Sequence, residues 1–168
     1  MVASSFLTSP NARTDVVVAI ADSYRRWVGH DLVPAGTGSG AEAIEQALMA
    51  SSAVILCHDG APDPRFIFAN KAAASLWRMS VEELVGMPSR LSAPPEFQAE
   101  RAGALAQAAA HGVLFGYSGE RIAADSTRFT IVDATLWTVE LPGGGSGQAA
   151  TFNTWRELPG PTPSDLVV

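Results

Sequence analysis

The chain has 168 residues, 47% of them hydrophobic, which suits one domain with a real core plus an extension and argues for a globular rather than a disordered chain. Its 17 acidic residues against 11 basic ones leave a formal net charge of −6, and the densest basic cluster is only Arg25–Arg26, which disfavours direct binding of nucleic acid. No apolar run approaches the ~20 residues of a membrane span, no basic stretch leads a long apolar core as in a signal peptide, and the lone cysteine, Cys57, excludes an internal disulfide, so a cytoplasmic location is expected.

Residues 1–10 are small and polar and are expected to fray. Asn11 is placed to cap a helix running to about Trp27. Val17, Ile20, Tyr24 and Trp27 recur along it at spacings of three and four and share one face, with Arg13, Asp22, Arg25 and Arg26 largely elsewhere. Gly29 ends that helix, and PAGTGSG at 34–40 reads as a flexible joint. A second helix is expected near 41–51, with Ile44 and Leu48 one turn apart. The chain thus divides into an amphipathic helix and joint at 1–40, a domain at 41–158, and a disordered tail at 159–168 where two prolines break regular structure.

The run AVILCH at 53–58 is continuously apolar, as a buried central strand should be. DGAPDP is a turn, and FIFA at 66–69 is the next strand. Asn70 caps a short helix holding Ala73, Leu76 and Trp77, and Ser80 with Glu83 forms a capping box for another. Pro94 and Pro95 open a long helix at 96–111, stopped by Gly112, on which Phe97, Arg101, Leu105 and Ala108 follow helical spacing. Strands at 113–118, 128–141 and 147–155 close the chain, the last two joined by the glycine-rich LPGGGSG.

Within 129–139, strict alternation places Phe129, Ile131, Asp133, Thr135 and Trp137 on one face and Thr130, Val132, Ala134, Leu136 and Thr138 on the other. Neither face is fully polar, so each needs a cover. The short helices supply one. The N-terminal amphipathic helix, from this chain or a second copy, supplies the other; in the second case Val17, Ile20, Tyr24 and Trp27 form the interface of a homodimer.

Six segments carry a family resemblance: SYRRWVGHDLVP at 23–34, DPRFIFANKAAASLW at 63–77, ELVGMPSRLSAPP at 83–95, YSGERI at 117–122, RFTIVDATLWTV at 128–139 and GQAATFNTW at 147–155. In that order they resemble the MEKHLA domain, a PAS-related module found alone in bacteria and at the C-terminus of plant class III homeodomain–leucine-zipper proteins. The resemblance spans about residues 20–157. It implies an α+β fold: a PAS-like five-stranded antiparallel sheet with short helices on one face plus the N-terminal helical extension. It also implies a regulatory or sensory role. Nothing in the chain matches the plant proteins' DNA-binding or zipper regions, so DNA binding is not carried over.

A sheet of this kind curves around its short helices and leaves a chamber. Its expected apolar wall is Ile55, Phe68, Ala72, Trp77, Leu84, Leu114, Phe129, Ile131, Trp137 and Phe152, with Asn70, Tyr117, Arg121, Asp133 and Asn153 as candidate polar groups for a small-molecule ligand. The same apolar residues suit a core filled by side chains. Asp133, mid-strand, calls for an arginine partner or a ligand donor, and a structural ion pair that fixes register is the expected reading. Cys57 and His58 are adjacent on a strand and point to opposite faces, so they make no nucleophile–base pair, and Cys57 reads as a small core residue. The Asn-Cys-Arg-Phe-Leu-Gln motif of a flavin-adduct cysteine does not occur. His30, His58 and His111 show no metal-ligand spacing.

No Gly-x-Ser-x-Gly elbow, phosphate loop or diagnostic carboxylate pair supports catalysis. The expected function is a small sensory or ligand-binding module acting through an unidentified protein partner or a change of oligomeric state. The alternative is a ligand-free interaction or dimerisation module, and a lesser one is an enzyme with its chemistry in the cavity. The sequence does not specify the ligand.

Overall fold

A sheet with apolar residues on both faces must be covered on both, and this chain covers it with its own helices. The computed structural model describes residues 10–160. In chain order these form α1 (Pro10–Val28), α2 (Ala41–Ala50), β1 (Val54–His58), β2 (Phe66–Ala69), α3 (Lys71–Trp77) and α4 (Val81–Leu84). Two 3-10 turns, Ser89–Ser92 and Pro95–Phe97, lead into α5 (Gln98–His111), followed by β3 (Val113–Ile122), β4 (Arg128–Glu140), β5 (Ser146–Phe152) and β6 (Thr154–Glu157). The frayed start and disordered tail expected from the sequence fall mainly at 1–9 and 161–168, outside the described residues.

The strands run in the order β2-β1-β5-β4-β3, each pair antiparallel, and β6 pairs with β4 as well. The expected single last strand is broken at Asn153, so β5 and β6 pair with successive stretches of β4. β3 runs four residues further than the sequence suggests, to Ile122.

On the inner face, α3, α4 and α5 pack a core around Trp77, Leu84, Phe129 and Phe152, with the Trp77 and Phe129 rings edge to face at 5.1 Å. On the outer face, α1 and α2 place Val17, Ile20, Tyr24, Ile44 and Leu48 against Ile55, Cys57, Phe68, Trp137 and Val139. Tyr24 meets Trp137 edge to face at 4.9 Å, and Trp137 Nε1 donates to Ser23 Oγ at 3.0 Å. Of the two covers the sequence left open, the chain's own α1 is the one seen here: Val17 and Ile20 are fully buried and Tyr24 nearly so under the chain's own sheet, leaving only Trp27 of the four partly exposed, at 37%. Through α1 the N-terminal segment shares a core with the rest of the chain. Asn11 lies inside α1, after Pro10, rather than before its first turn.

The strict alternation expected along β4 breaks at Asp133. Leu114 pairs Leu136 and Tyr117 pairs Ala134, so β3 holds one extra residue between those rungs; Gly119 then pairs Ile131, so β4 holds one extra in turn. Gly116 (φ 70°) and Asp133 (φ 56°) carry the two left-handed backbone turns. Parity switches across them. Phe129 and Ile131 face inward before the bulge and Ala134 and Leu136 after it, while Trp137 and Val139 face outward.

Candidate ligand-binding site

Period-2 alternation on β1 turns Leu56 and His58 inward and Ile55 and Cys57 outward. Across the sheet, Gln148, Ala150 and Phe152 of β5, Ile131 and Leu136 of β4, and Tyr117 and Arg121 of β3 continue the inner wall. Arg101 and Leu105 of α5, Trp77 at the end of α3, and Ser92 close it from the helical side. Between them lies a cavity of about 40 Å³.

The wall is rich in buried polar groups. Arg101 is 8% exposed and makes no hydrogen bond or ion pair among the described residues. Burial, and then the like charge of Arg121, push its pKa down to about 10, so it stays cationic at neutral pH. Arg121 is 5% exposed; its Nη1 donates to the Glu120 carbonyl at 2.8 Å and its Nη2 to Tyr117 Oη at 3.2 Å, with the guanidinium 5.4 Å from the Tyr117 ring centre. Tyr117 Oη in turn donates to Glu100 Oε2 at 3.2 Å, at the exposed end of this chain of bonds. Gly119, between the two side chains on the same strand face, makes this possible: a Cβ there would collide with the tyrosine oxygen.

His58 Nδ1 donates to the Asp59 carbonyl at 2.7 Å, which places the ring proton on Nδ1 and leaves a lone pair on Nε2. That Nε2 is buried with no partner. Burial pushes the His58 pKa down to about 4, with the Asp59 hydrogen bond opposing and Arg101 adding to the fall, so the ring is neutral at pH 7. Gln148 donates from Nε2 to Thr138 Oγ1 at 3.0 Å, and its Oε1 has no partner.

Of the residues expected at the chamber, Trp77, Tyr117, Arg121, Ile131 and Phe152 meet at the cavity. Leu84 and Phe129 are packed into the same core, with Ala72 and Leu114 at its edge. Ile55, Phe68 and Trp137 lie on the opposite face, because strand parity sends them under α1 and α2. Asn70 is wholly buried and fully used: its Oδ1 accepts from Ala73 N at 3.0 Å and Ile55 N at 3.1 Å, and its Nδ2 donates to Leu48 O at 3.0 Å and Ala53 O at 2.7 Å. It ties α2, β1 and α3 together and has nothing left for a ligand. Asp133 is exposed at its bulge, without an ion pair among the described residues, and Arg128 pairs instead with Glu96 and Glu120. Asn153 is exposed at the break between β5 and β6. Arg101 and Gln148 were not singled out as ligand groups. The readable signal for Arg101 was a cation within the apolar stripe Phe97, Leu105, Ala108 of a helix.

The MEKHLA domain matches residues 14–157. The chain belongs to the MEKHLA domain family. Among solved structures, this MEKHLA domain is similar to the PAS domain of a protein from Colwellia psychrerythraea, with a TM-score of 0.58 and 15% identity over 67% of this chain and 95% of that one. A PAS domain from a two-component sensor histidine kinase gives a TM-score of 0.55 and 13% identity, covering 70% of this chain and 95% of the other. An RNA-binding light-oxygen-voltage receptor gives 0.57 and 20% over 71% of this chain, which spans only 34% of that receptor. No curated protein matches. The fold is therefore PAS-like: an antiparallel sheet with helices in an α+β arrangement.

A flavin–cysteine adduct does not fit this domain. Cys57 is buried on the outer face, where burial pushes its thiol pKa up, and the 40 Å³ cavity lies far below the roughly 300 Å³ or more of cofactor pockets. Among the described residues, no cluster of His, Cys, Asp and Glu is arranged for a metal ion, and no helix is long and apolar enough to cross a membrane.

Proposed function

We propose that this MEKHLA domain is a sensory module that binds a small molecule in the inner chamber and passes its occupancy on through a protein partner or a change of association. The observation that carries this reading is Arg101: a guanidinium buried in a cavity wall with neither an ion pair nor a hydrogen bond among the described residues. Such a group is costly in a purely structural core and useful where a ligand supplies the missing partner.

The fold offers a route outward. Arg101 sits on α5, which ends at Gly112 (φ 84°), and the Trp27 ring of α1 lies over that glycine closely enough to exclude a Cβ. Trp27 Nε1 also donates to the Thr138 carbonyl at 3.2 Å. A shift of α5 on ligand binding is thereby felt at the end of α1 on the other face of the sheet. A ligand with a few kcal/mol of preference for one arrangement suffices to change its population.

Native and denaturing mass spectrometry of the purified chain tests the reading. A non-covalent mass retained in the native spectrum and lost on denaturation is expected. A bare native mass, with no added small molecule shifting the melting temperature, contradicts it.

A further inference from the structure

The donors and acceptors of the chamber wall narrow the chemistry of its occupant, an argument that rests on the ligand-binding reading above. Two guanidiniums line the cavity, Arg101 from α5 and Arg121 from β3, and neither forms an ion pair among the described residues. Arg121 uses donors on Glu120 and Tyr117, whereas Arg101 uses none. Two like charges facing one small space repel, and a negative charge between them offsets both desolvation and repulsion.

The same space holds two unpartnered acceptors, His58 Nε2 and Gln148 Oε1. Their lone pairs repel the oxygens of a fully ionised group and call for an O–H. Water satisfies acceptors of this kind but leaves the two cations without a counter-charge. The cavity of about 40 Å³ is small beside cofactor pockets of roughly 300 Å³ or more and suits a ligand of a few non-hydrogen atoms.

We infer that the chamber binds a small hydroxyl-bearing oxyanion, of the size of bicarbonate or a two-carbon hydroxy acid. Its anionic oxygens face Arg101 and Arg121, and its O–H is directed at His58 Nε2 or Gln148 Oε1.

The test is calorimetric titration of the full chain with sodium glycolate, sodium bicarbonate, sodium acetate and neutral glycolamide at constant ionic strength. Glycolate or bicarbonate saturates one site per chain, acetate binds at least ~tenfold more weakly, and glycolamide does not bind. Arg101→Met weakens the bound anion at least ~tenfold, and Gln148→Leu brings its affinity toward that of acetate. If Arg101→Met does not fold, Arg101→Lys serves in its place, with a loss of at least ~threefold because the charge remains and the fork is gone.

Saturation by none of the anions, or unchanged binding in the Arg101 variant, overturns the assignment. Acetate binding as tightly as glycolate overturns the hydroxyl part of it. Glycolamide binding as well as glycolate overturns the anion and leaves the sensory reading standing, while the mass-spectrometric test of a retained ligand decides that reading separately.

Discussion

Cys57 and His58 are adjacent in β1, yet their side chains belong to different cores: Cys57 lies beneath α1 and α2, and His58 lines the inner cavity. One peptide step therefore separates a residue of the covering layer from a residue of the candidate site. The thiol is buried and its pKa is raised by burial, so it is a poor nucleophile. The imidazole is held neutral, with its proton on the Asp59 side.

The neutral His58 makes stability depend on pH. Its folded pKa of about 4 lies below the ordinary imidazole value of 6.5, so between these values the unfolded chain binds the extra proton. Its contribution is fully present above about pH 6.5 and is lost as pH falls toward 4, by up to about 3 kcal/mol. Urea unfolding at pH 7 and pH 5 checks this: the wild-type chain loses more stability over that interval than His58→Gln. Equal losses in the two proteins contradict the assignment.

Asn70→Ala removes the four hydrogen bonds that join α2, β1 and α3 and leaves buried backbone groups without partners. A loss of about 3–5 kcal/mol is expected in chemical denaturation. A loss under about 1 kcal/mol would mean that water replaces those bonds.

Asp133 holds a left-handed backbone and no ion pair among the described residues, so its role is conformational. Asp133→Gly is expected to leave stability within about 0.5 kcal/mol, whereas Asp133→Val costs about 1–2 kcal/mol because a β-branched residue resists positive φ. An ion-pair role would make the two substitutions equally harmful. Thermal melts of the pair separate these accounts.

Gly112 combines a φ of 84° with the Trp27 ring seated over its Cα. Gly112→Ala is expected to cost about 2–3 kcal/mol, from backbone strain and displacement of the ring. Adding Trp27→Ala should recover part of that loss, since it removes the clash, and a double-mutant cycle measures the coupling.

The element order, the capping of α3 by Asn70 and the capping box of α4 were legible in the sequence because each rests on local chemistry: an Asn or Ser side chain meeting the next free amides. So was the need for a cover on both faces of the sheet. The faces themselves were only partly legible. A continuous run such as VILCH in β1 is apolar at every position, so it does not reveal which parity faces which layer. In β4, one extra residue at Asp133 inverts the pattern half-way along, which sends Trp137 outward and Leu136 inward. The polar groups of the chamber were hard to read for another reason. Arg101, His58 and Gln148 come from three separate elements, and only the tertiary fold brings them to one cavity.

The central claim is that Arg101 is a buried cation awaiting a ligand, not a structural partner, and thermal unfolding of ligand-free Arg101→Met beside the wild type tests it most directly. Replacing an unpaired buried charge by an apolar chain of similar length is expected to raise stability, by about 1–4 kcal/mol. A fall in stability of that size would show that the guanidinium is satisfied within the fold and would contradict the account.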